Sequence, residues 1–258
     1  MYEILKTIVG SHSHGLATKT SDVDYKSVYV LPTTDLLKLN RSVSKGTNVI
    51  DGELVDTTSY EVAHFLHLAT KSNPTILEVF KSPKVEIPDS SDELNTYGDQ
   101  LRELFPYVWS SIGVYNAFLG YSHDQHKKMF SDKEEFSKRK FKYAVAHIRV
   151  LLSGIELLRT GNFSTEVKDR YSWSVPKLHH LHVPIYEKVN IFGEEIQDSW
   201  VQLLMAVKSE KILIGDIVNV AEYLKFELKK AYNLNPDKVT EFDPINKWLL
   251  KVRKEMWE

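Results

Sequence analysis

The sequence predicts an α+β fold, in which an N-terminal α/β half with a mixed β-sheet precedes a mainly α-helical C-terminal half. Residues 4–9 and 24–31 are short apolar runs that end at turn-forming residues, as strands usually do. In the second half, apolar side chains instead recur every three or four positions, most regularly in residues 133–160. This change of period predicts two domains, residues 1–90 and residues 91–258.

A third strand is predicted over residues 53–58, after a turn at Gly52. Thr58 and Glu61 have the spacing of a capping box, in which the two side chains bind the free backbone N–H groups at a helix start. We therefore expect a helix to begin immediately after Thr58. It is expected to end before Pro74, which suits the first turn of a following helix.

Residues 81–91 contain two prolines and three serines, a composition that predicts a linker between the two domains. Gly161 follows the longest helical pattern, and glycine is common just beyond the end of a helix. The helices predicted for the second half cover residues 92–105, 110–120, 133–160, 198–210, 216–232 and 244–257.

The composition narrows the class of protein. The net charge of −2 argues against a protein that binds nucleic acid through overall positive charge. The chain has no cysteine, which excludes disulfides and thiolate metal sites. No apolar run is long enough to span a bilayer, and the N-terminus lacks the basic segment and apolar core of a signal peptide. We therefore expect a cytoplasmic protein with no membrane partner.

The segment from Gly10 to Asp24, GSHSHGLATKTSDVD, has the densest chemical pattern. A Gly-Ser pair follows the first strand, and a short helix is predicted to begin there. Glycine lets a bound group approach the backbone closely, and free N–H groups at a helix start attract anions. The pattern predicts that Gly10 and Ser11 bind phosphate.

Two aspartates complete the segment. Asp22 and Asp24 are two residues apart on a predicted strand, so their side chains are expected on the same side of the sheet. Paired carboxylates repel each other unless a cation lies between them, and oxygen ligands of this kind suit Mg²⁺ or Mn²⁺. A phosphate site beside a divalent metal site is what nucleotide chemistry requires.

A two-metal centre needs a third acid. The candidates are Asp51, Glu53 and Asp56. Asp56 is preferred because it follows two apolar residues on the predicted strand, where an acid is harder to explain as solvated surface. The sequence therefore predicts that Asp22, Asp24 and Asp56 are the metal ligands and the catalytic residues.

The order of these features resembles the nucleotidyltransferase superfamily typified by DNA polymerase β. Within it, GSHSHGLATKTSDVDYKSVYVLP is most similar to the RlaP-type family of predicted nucleotidyltransferases linked to RNA repair. Asp56 shortly before the Tyr-Glu pair also resembles that family, as does YAVAHIRVLLSGIELLRTG further on. The resemblance covers residues 4–80 and 140–162.

The resemblance implies a catalytic domain over residues 1–90 and a helical domain that closes the nucleotide cleft. It implies transfer of a nucleoside monophosphate from an NTP to an acceptor hydroxyl, with release of pyrophosphate. ATP is the default donor, and RNA or tRNA is a candidate acceptor. Lys142 and Arg149 are implied to face the triphosphate, and Ser21 is assigned to the same nucleotide site.

Two other functions stay open. His123-Asp124, with His126 nearby, resembles helical His-Asp metal phosphohydrolases. Such enzymes need further His and Asp ligands from neighbouring helices. The other alternative is a nucleotide-binding protein of the same fold without catalysis, against which the three acids argue.

Overall fold

The computed structural model describes residues 1–39, 55–88, 91–131, 138–167 and 200–257. Three strands form a mixed sheet in the order β1–β2–β3 within this part of the chain. Strand β1 is Tyr2–Val9, β2 is Val23–Val30 and β3 is Val55–Glu61. Strand β2 runs antiparallel to β1 and parallel to β3. The predicted α+β class, with its mixed N-terminal sheet, is confirmed.

Helices make up most of the rest of the described chain. Their bounds are α1 Gly10–Ser13, α2 Thr33–Leu37, α3 Val62–Thr70, α4 Pro74–Lys81, α5 Asp92–Glu103, α6 Ser111–Ser131, α7 Lys138–Thr160, α8 Trp200–Lys208, α9 Ile214–Leu234 and α10 Phe242–Glu255. Gly161, just beyond α7, has a φ of +73°, as expected for a glycine that ends a helix. Helix α6 is longer than predicted: it continues past Gly120 and ends at Ser131. No helix in the described ranges combines the length and the apolar character needed to cross a bilayer.

The chain packs as two compact units. One contains Met1–Gly113 together with Asp237–Glu258, and the other contains Val114–Pro236. Helices α3, α4 and α5 pack on the sheet of the first unit. In the second unit, α7 packs against α8 and α9. The predicted division into functional domains at residues 90 and 91 stays a prediction, because these units describe packing alone.

The predicted capping box is wrong. Strand β3 continues through Ser59 and Tyr60, and Glu61 pairs with Tyr29 of β2. Helix α3 therefore begins at Val62, and the Glu61 side chain caps it by accepting a hydrogen bond from the Ala63 N–H. Pairing with β2 keeps the backbone extended three residues beyond Thr58, and this long-range pairing overrides the local capping signal.

The predicted linker, residues 81–91, also does more than connect two domains, because part of it is hydrogen-bonded to β1. The Ile8 N–H donates to the Pro83 carbonyl (3.0 Å), and the Val85 N–H donates to the Lys6 carbonyl (2.8 Å). Residues 83–85 thus lie along the edge of β1, where they cover unpaired backbone groups of that strand. In contrast, the prediction at Pro74 is confirmed, because α4 begins there and the Asn73 side chain caps it.

Helix α10 belongs to the N-terminal unit, although the sequence placed it in the C-terminal domain. Arg253 donates to the Leu31 carbonyl (3.2 Å) and forms an ion pair with Glu61. The two charged side chains are only 14% and 7% exposed. The last helix is therefore part of the structure that supports the sheet.

We expect Arg253→Met to destabilise the N-terminal unit by about 3–5 kcal/mol, because Glu61 would remain buried without its partner. Urea unfolding followed by circular dichroism measures the effect. Lys38→Met is the matched control, since its ion pair with Asp35 is exposed and contributes at most about 1 kcal/mol. Equal unfolding midpoints for the two variants would contradict the assignment.

Candidate functional site

The site is built around the junction of Gly10 and Asp24. Strand β1 ends at Val9, and Gly10 turns the chain into the short helix α1 with a φ of +68°. A Cβ atom added at Gly10 would lie 2.4 Å from Oδ2 of Asp24. The left-handed backbone favours glycine at this position, and a Cβ would also force the Asp24 carboxylate to move. The sequence pattern that singled out both residues is matched by direct contact between them.

The sheet brings the acids into one region. Asp24 pairs with Val9 on one side and with Asp56 on the other, so the backbones of these three residues form one row across the sheet. Asp22 is exposed and immediately precedes β2. The side chain of Asp56 and the alternative acids Asp51 and Glu53 lie outside the described part.

No group of three or more His, Asp or Glu side chains among the described residues is arranged to hold a metal ion. The Asp56 side chain is not one of the side chains described. The pairing of β3 with β2 nevertheless agrees with the choice of Asp56 as the candidate third acid, because the backbone of Asp56 is directly beside that of Asp24. The roles of Asp22, Asp24 and Asp56 as metal ligands stay predictions.

A loop of hydrogen bonds folds residues 14–22 back onto α1. The Thr18 N–H donates to the Ser21 hydroxyl (2.9 Å), and the Ser21 N–H donates to the Thr18 carbonyl (3.0 Å). His12 binds the Ser21 carbonyl through Nε2 (3.2 Å). The carbonyl of Ser11 accepts from the Leu16 N–H (3.0 Å). These bonds give the segment a defined shape, while nucleotide binding by Ser11 and Ser21 stays a prediction.

The basic residues assigned to the nucleotide site lie on α7, in the second compact unit. Lys142 is exposed, whereas Arg149 is buried. Burial lowers the pKa of Lys208, at the end of α8, and the nearby ammonium of Lys142 lowers it further. Lys208 is thus a neighbour of Lys142 that the sequence did not suggest. The contact of Lys142 and Arg149 with a triphosphate stays a prediction.

His126, one of the residues of the His-Asp alternative, lies beside His147 of α7. His147 is fully buried and is hydrogen-bonded through Nδ1 to the Ser122 hydroxyl (2.8 Å). The centroids of the His126 and His147 rings are 5.5 Å apart. Burial lowers the pKa of His147 to about 4, so the ring is neutral at pH 7. Since the described residues supply no group of three ligands here, the His-Asp reading gains no support.

We expect Gly10→Ala to reduce the activity of this site strongly. The left-handed backbone costs an L-residue about 1–2 kcal/mol, and the new Cβ would displace the Asp24 carboxylate. Gly161→Ala is a matched control, because Gly161 has a φ of +73° but open space around its Cβ position. Thermal unfolding and activity should therefore separate the two variants: both lose stability, and only Gly10→Ala loses function. Full activity in Gly10→Ala would contradict the site.

The family model described as RlaP, RNA repair pathway DNA polymerase beta family, matches residues 3–172, which is more than half of the chain. The uncharacterized 38.9 kDa protein in the nrdC-mobD intergenic region of Enterobacteria phage T4 is 31% identical over 133 residues. This match covers 45% of the chain and 40% of the phage protein. The chain thus spans less than half the length of that relative.

Proposed function

The chain belongs to the RlaP family, the RNA repair pathway DNA polymerase β family, and we propose that it transfers a nucleoside monophosphate from an NTP to an acceptor hydroxyl. Membership suggests a polymerase β-like nucleotidyltransferase. Pyrophosphate is the second product. ATP is our default donor, and RNA or tRNA is the candidate acceptor.

One observation carries the proposal. Gly10, with its left-handed backbone, lies directly against the Asp24 carboxylate, and the backbone of Asp24 is directly beside that of Asp56 in the sheet. A tight turn against Asp24 on β2, with Asp22 just before that strand and a third acid on the adjacent strand, fits the chemistry of nucleotide transfer. Such an arrangement would put bound phosphate next to carboxylates, which requires a cation between them.

The donor set fits a hard divalent cation. Asp22, Asp24 and Asp56 offer only carboxylate oxygens, and Mg²⁺ and Mn²⁺ prefer such ligands together with phosphate oxygens and water. These three acids would hold the metal. When bound, the metal would neutralise charge on the phosphates and on the attacking oxygen.

The residues of the chain have separate tasks in the proposed reaction. The Gly10 backbone and the Ser11 hydroxyl bind the β- and γ-phosphates. Asp56 orients the acceptor hydroxyl and accepts its proton. The hydroxyl oxygen then bonds to the α-phosphorus while the bond from that phosphorus to the β-phosphate oxygen breaks, and pyrophosphate leaves. Lys142 and Arg149 would counter the charge of the leaving group.

The test is a labelling experiment on the full chain. The protein is incubated with each α-³²P-labelled NTP and Mg²⁺ or Mn²⁺, in the presence of total RNA, purified tRNA or total cell protein. Label should enter a macromolecule while an equal amount of pyrophosphate is released. Sensitivity of the label to ribonuclease or to protease identifies the acceptor. EDTA should abolish the reaction, since the proposal requires a divalent cation.

The same experiment separates the alternatives. The variants His123→Ala and Asp124→Ala should retain transfer, because these residues lie outside the proposed site. Loss of activity in these variants, with activity retained in Asp24→Asn, would support a phosphohydrolase instead. NTP binding without labelled acceptor or pyrophosphate in any condition would support a non-catalytic nucleotide-binding protein.

A further inference from the structure

We propose that His14 and Glu78 are a positioning pair for the nucleotide site. Their buried contact fixes the turn at Gly10 against helix α4, and it thereby keeps that turn beside Asp24. The proposal rests on the proposed function, which it extends to two residues that touch neither nucleotide nor metal in that scheme.

The pair itself is unusual in its burial. Nε2 of His14 contacts Oε1 of Glu78, and the two residues are only 8% and 4% exposed. Ionisable groups are costly to bury unless they are paired, so this contact offsets part of the cost of burying both side chains. They are 64 positions apart in the sequence, and their contact joins the start of the chain to α4.

Helix α1 needs such an anchor. It has only four residues, and its N-cap residue Val9 makes no side-chain capping bond. A helix this short is not stable alone, because the nucleation cost exceeds the gain from so few hydrogen bonds. The His14 N–H donates to the Gly10 carbonyl (3.1 Å). A shift of His14 is therefore transmitted directly to Gly10.

Helix α4 provides the rigid support. Its N-terminus is capped by Asn73, and most of its side chains are buried. Besides Glu78, it contributes the Thr75 carbonyl, which accepts from Nζ of Lys26 on β2 (2.8 Å). Just after α4, the Ser82 hydroxyl bonds to the Ser13 hydroxyl (3.2 Å). Thus α4 and the residue that follows it hold both parts of the junction, α1 and β2.

The contact between the turn at Gly10 and Asp24 on β2 tolerates little displacement. Because a Cβ at Gly10 would lie 2.4 Å from the Asp24 carboxylate, the turn and the strand are in direct contact. Loosening α1 would change the position of the phosphate-binding turn relative to Asp24. A misplacement of about 1 Å can cost about 10²-fold in rate. We expect a loss of this size in kcat/KM for His14→Ala and for Glu78→Ala.

Conservative variants keep the test independent of folding defects. The side-chain nitrogen of glutamine can occupy the position of histidine Nε2, so His14→Gln should recover most of the activity lost in His14→Ala. Glu78→Gln keeps an oxygen that can bond to His14 and should also stay near wild type. The double alanine variant should lose no more than either single variant, because both remove the same contact.

The matched control is Glu227→Gln, which weakens the ion pair of buried Glu227 with half-buried Arg159 in the other compact unit. It should lower the melting temperature without changing kcat/KM. Hydrogen–deuterium exchange supplies a readout that does not depend on activity. Amides of residues 10–16 should exchange faster in His14→Ala and Glu78→Ala, and at the wild-type rate in Glu227→Gln and His14→Gln.

The outcomes separate the two proposals. If the wild-type chain transfers no nucleotide, the proposed function fails, and exchange at residues 10–16 still judges the positioning pair. If the alanine variants keep wild-type exchange and kcat/KM, the positioning pair is overturned. A lower melting temperature in these variants, with wild-type kcat/KM per folded molecule, would also overturn it. Should the alanine variants not fold, His14→Gln and Glu78→Gln judge the pair. Near-wild-type kcat/KM and near-wild-type exchange at residues 10–16 in both variants support it, whereas a loss of kcat/KM of about 10²-fold with faster exchange at residues 10–16 in both overturns it.

Discussion

Replacing Asp24 by asparagine is expected to reduce nucleotidyl transfer by at least about 10³-fold, since a metal ligand supplies several kcal/mol of charge stabilisation. Asparagine has nearly the same volume as aspartate, so it can occupy the position against Gly10 without a new clash. The fold should therefore survive while the negative charge is lost. Steady-state transfer with labelled NTP, over a range of Mg²⁺ concentrations, measures the effect. Asp22→Asn should behave in the same way.

Two controls accompany this prediction. The melting temperature of Asp24→Asn should stay close to that of the wild type, because Asp24 is half-buried beside the turn and asparagine has nearly the same volume as aspartate. Asp99→Asn, which breaks an exposed ion pair with Lys84, should leave transfer unchanged. Full activity in either Asp22→Asn or Asp24→Asn would rule out the proposed centre.

The second large effect is expected for Asp56→Asn, which should slow the chemical step far more than it weakens NTP binding. Loss of a positioned base typically costs about 10²–10⁴-fold in rate. The triphosphate is held mainly by Gly10 and Ser11 and by the metal on Asp22 and Asp24 in the proposed scheme. Single-turnover transfer measures the chemical step, and equilibrium titration with NTP measures binding.

Glu53→Gln is the control for Asp56, although Glu53 lies outside the described residues. Strand alternation assigns positions 53 and 56 to opposite faces, so Glu53→Gln should be mild. The pairing of Asp56 with Asp24 supports this register. An inactive Glu53→Gln variant beside an active Asp56→Asn variant would show that the third acid is Glu53.

Much of the fold could be predicted from the sequence where the signal was local. The strands and the longest helix follow from apolar runs and from apolar side chains at helical spacing, which need no knowledge of distant residues. Pro74 and Gly161 act through their own backbone geometry, and both mark the helix boundaries as predicted. The capping box failed because Thr58 and Glu61 satisfy a local pattern while pairing with β2 keeps them in a strand.

The residues of the candidate site likewise divide into those with a local sequence signal and those without one. Gly10, Asp22 and Asp24 could be selected from the sequence because a glycine turn and paired acids are chemically specific over a short span. His14 was inside that segment but was not selected, since a single histidine has no local signal for a partner. Glu78 lies in a segment that resembles the family, but no sequence signal connects it to His14, and only the contact in the folded chain reveals the pair.

By itself, the sequence determined the α+β class, the family and the position of the turn at Gly10, because these depend on residue types at short spacing. The tertiary structure alone decided that β3 extends to Glu61 and that α10 packs with the N-terminal unit. It alone also joined His14 to Glu78 and Arg253 to Glu61. These contacts connect residues 64 and 192 positions apart. These contacts stabilise the protein through burial and pairing in the folded chain, and a local sequence pattern does not reveal them.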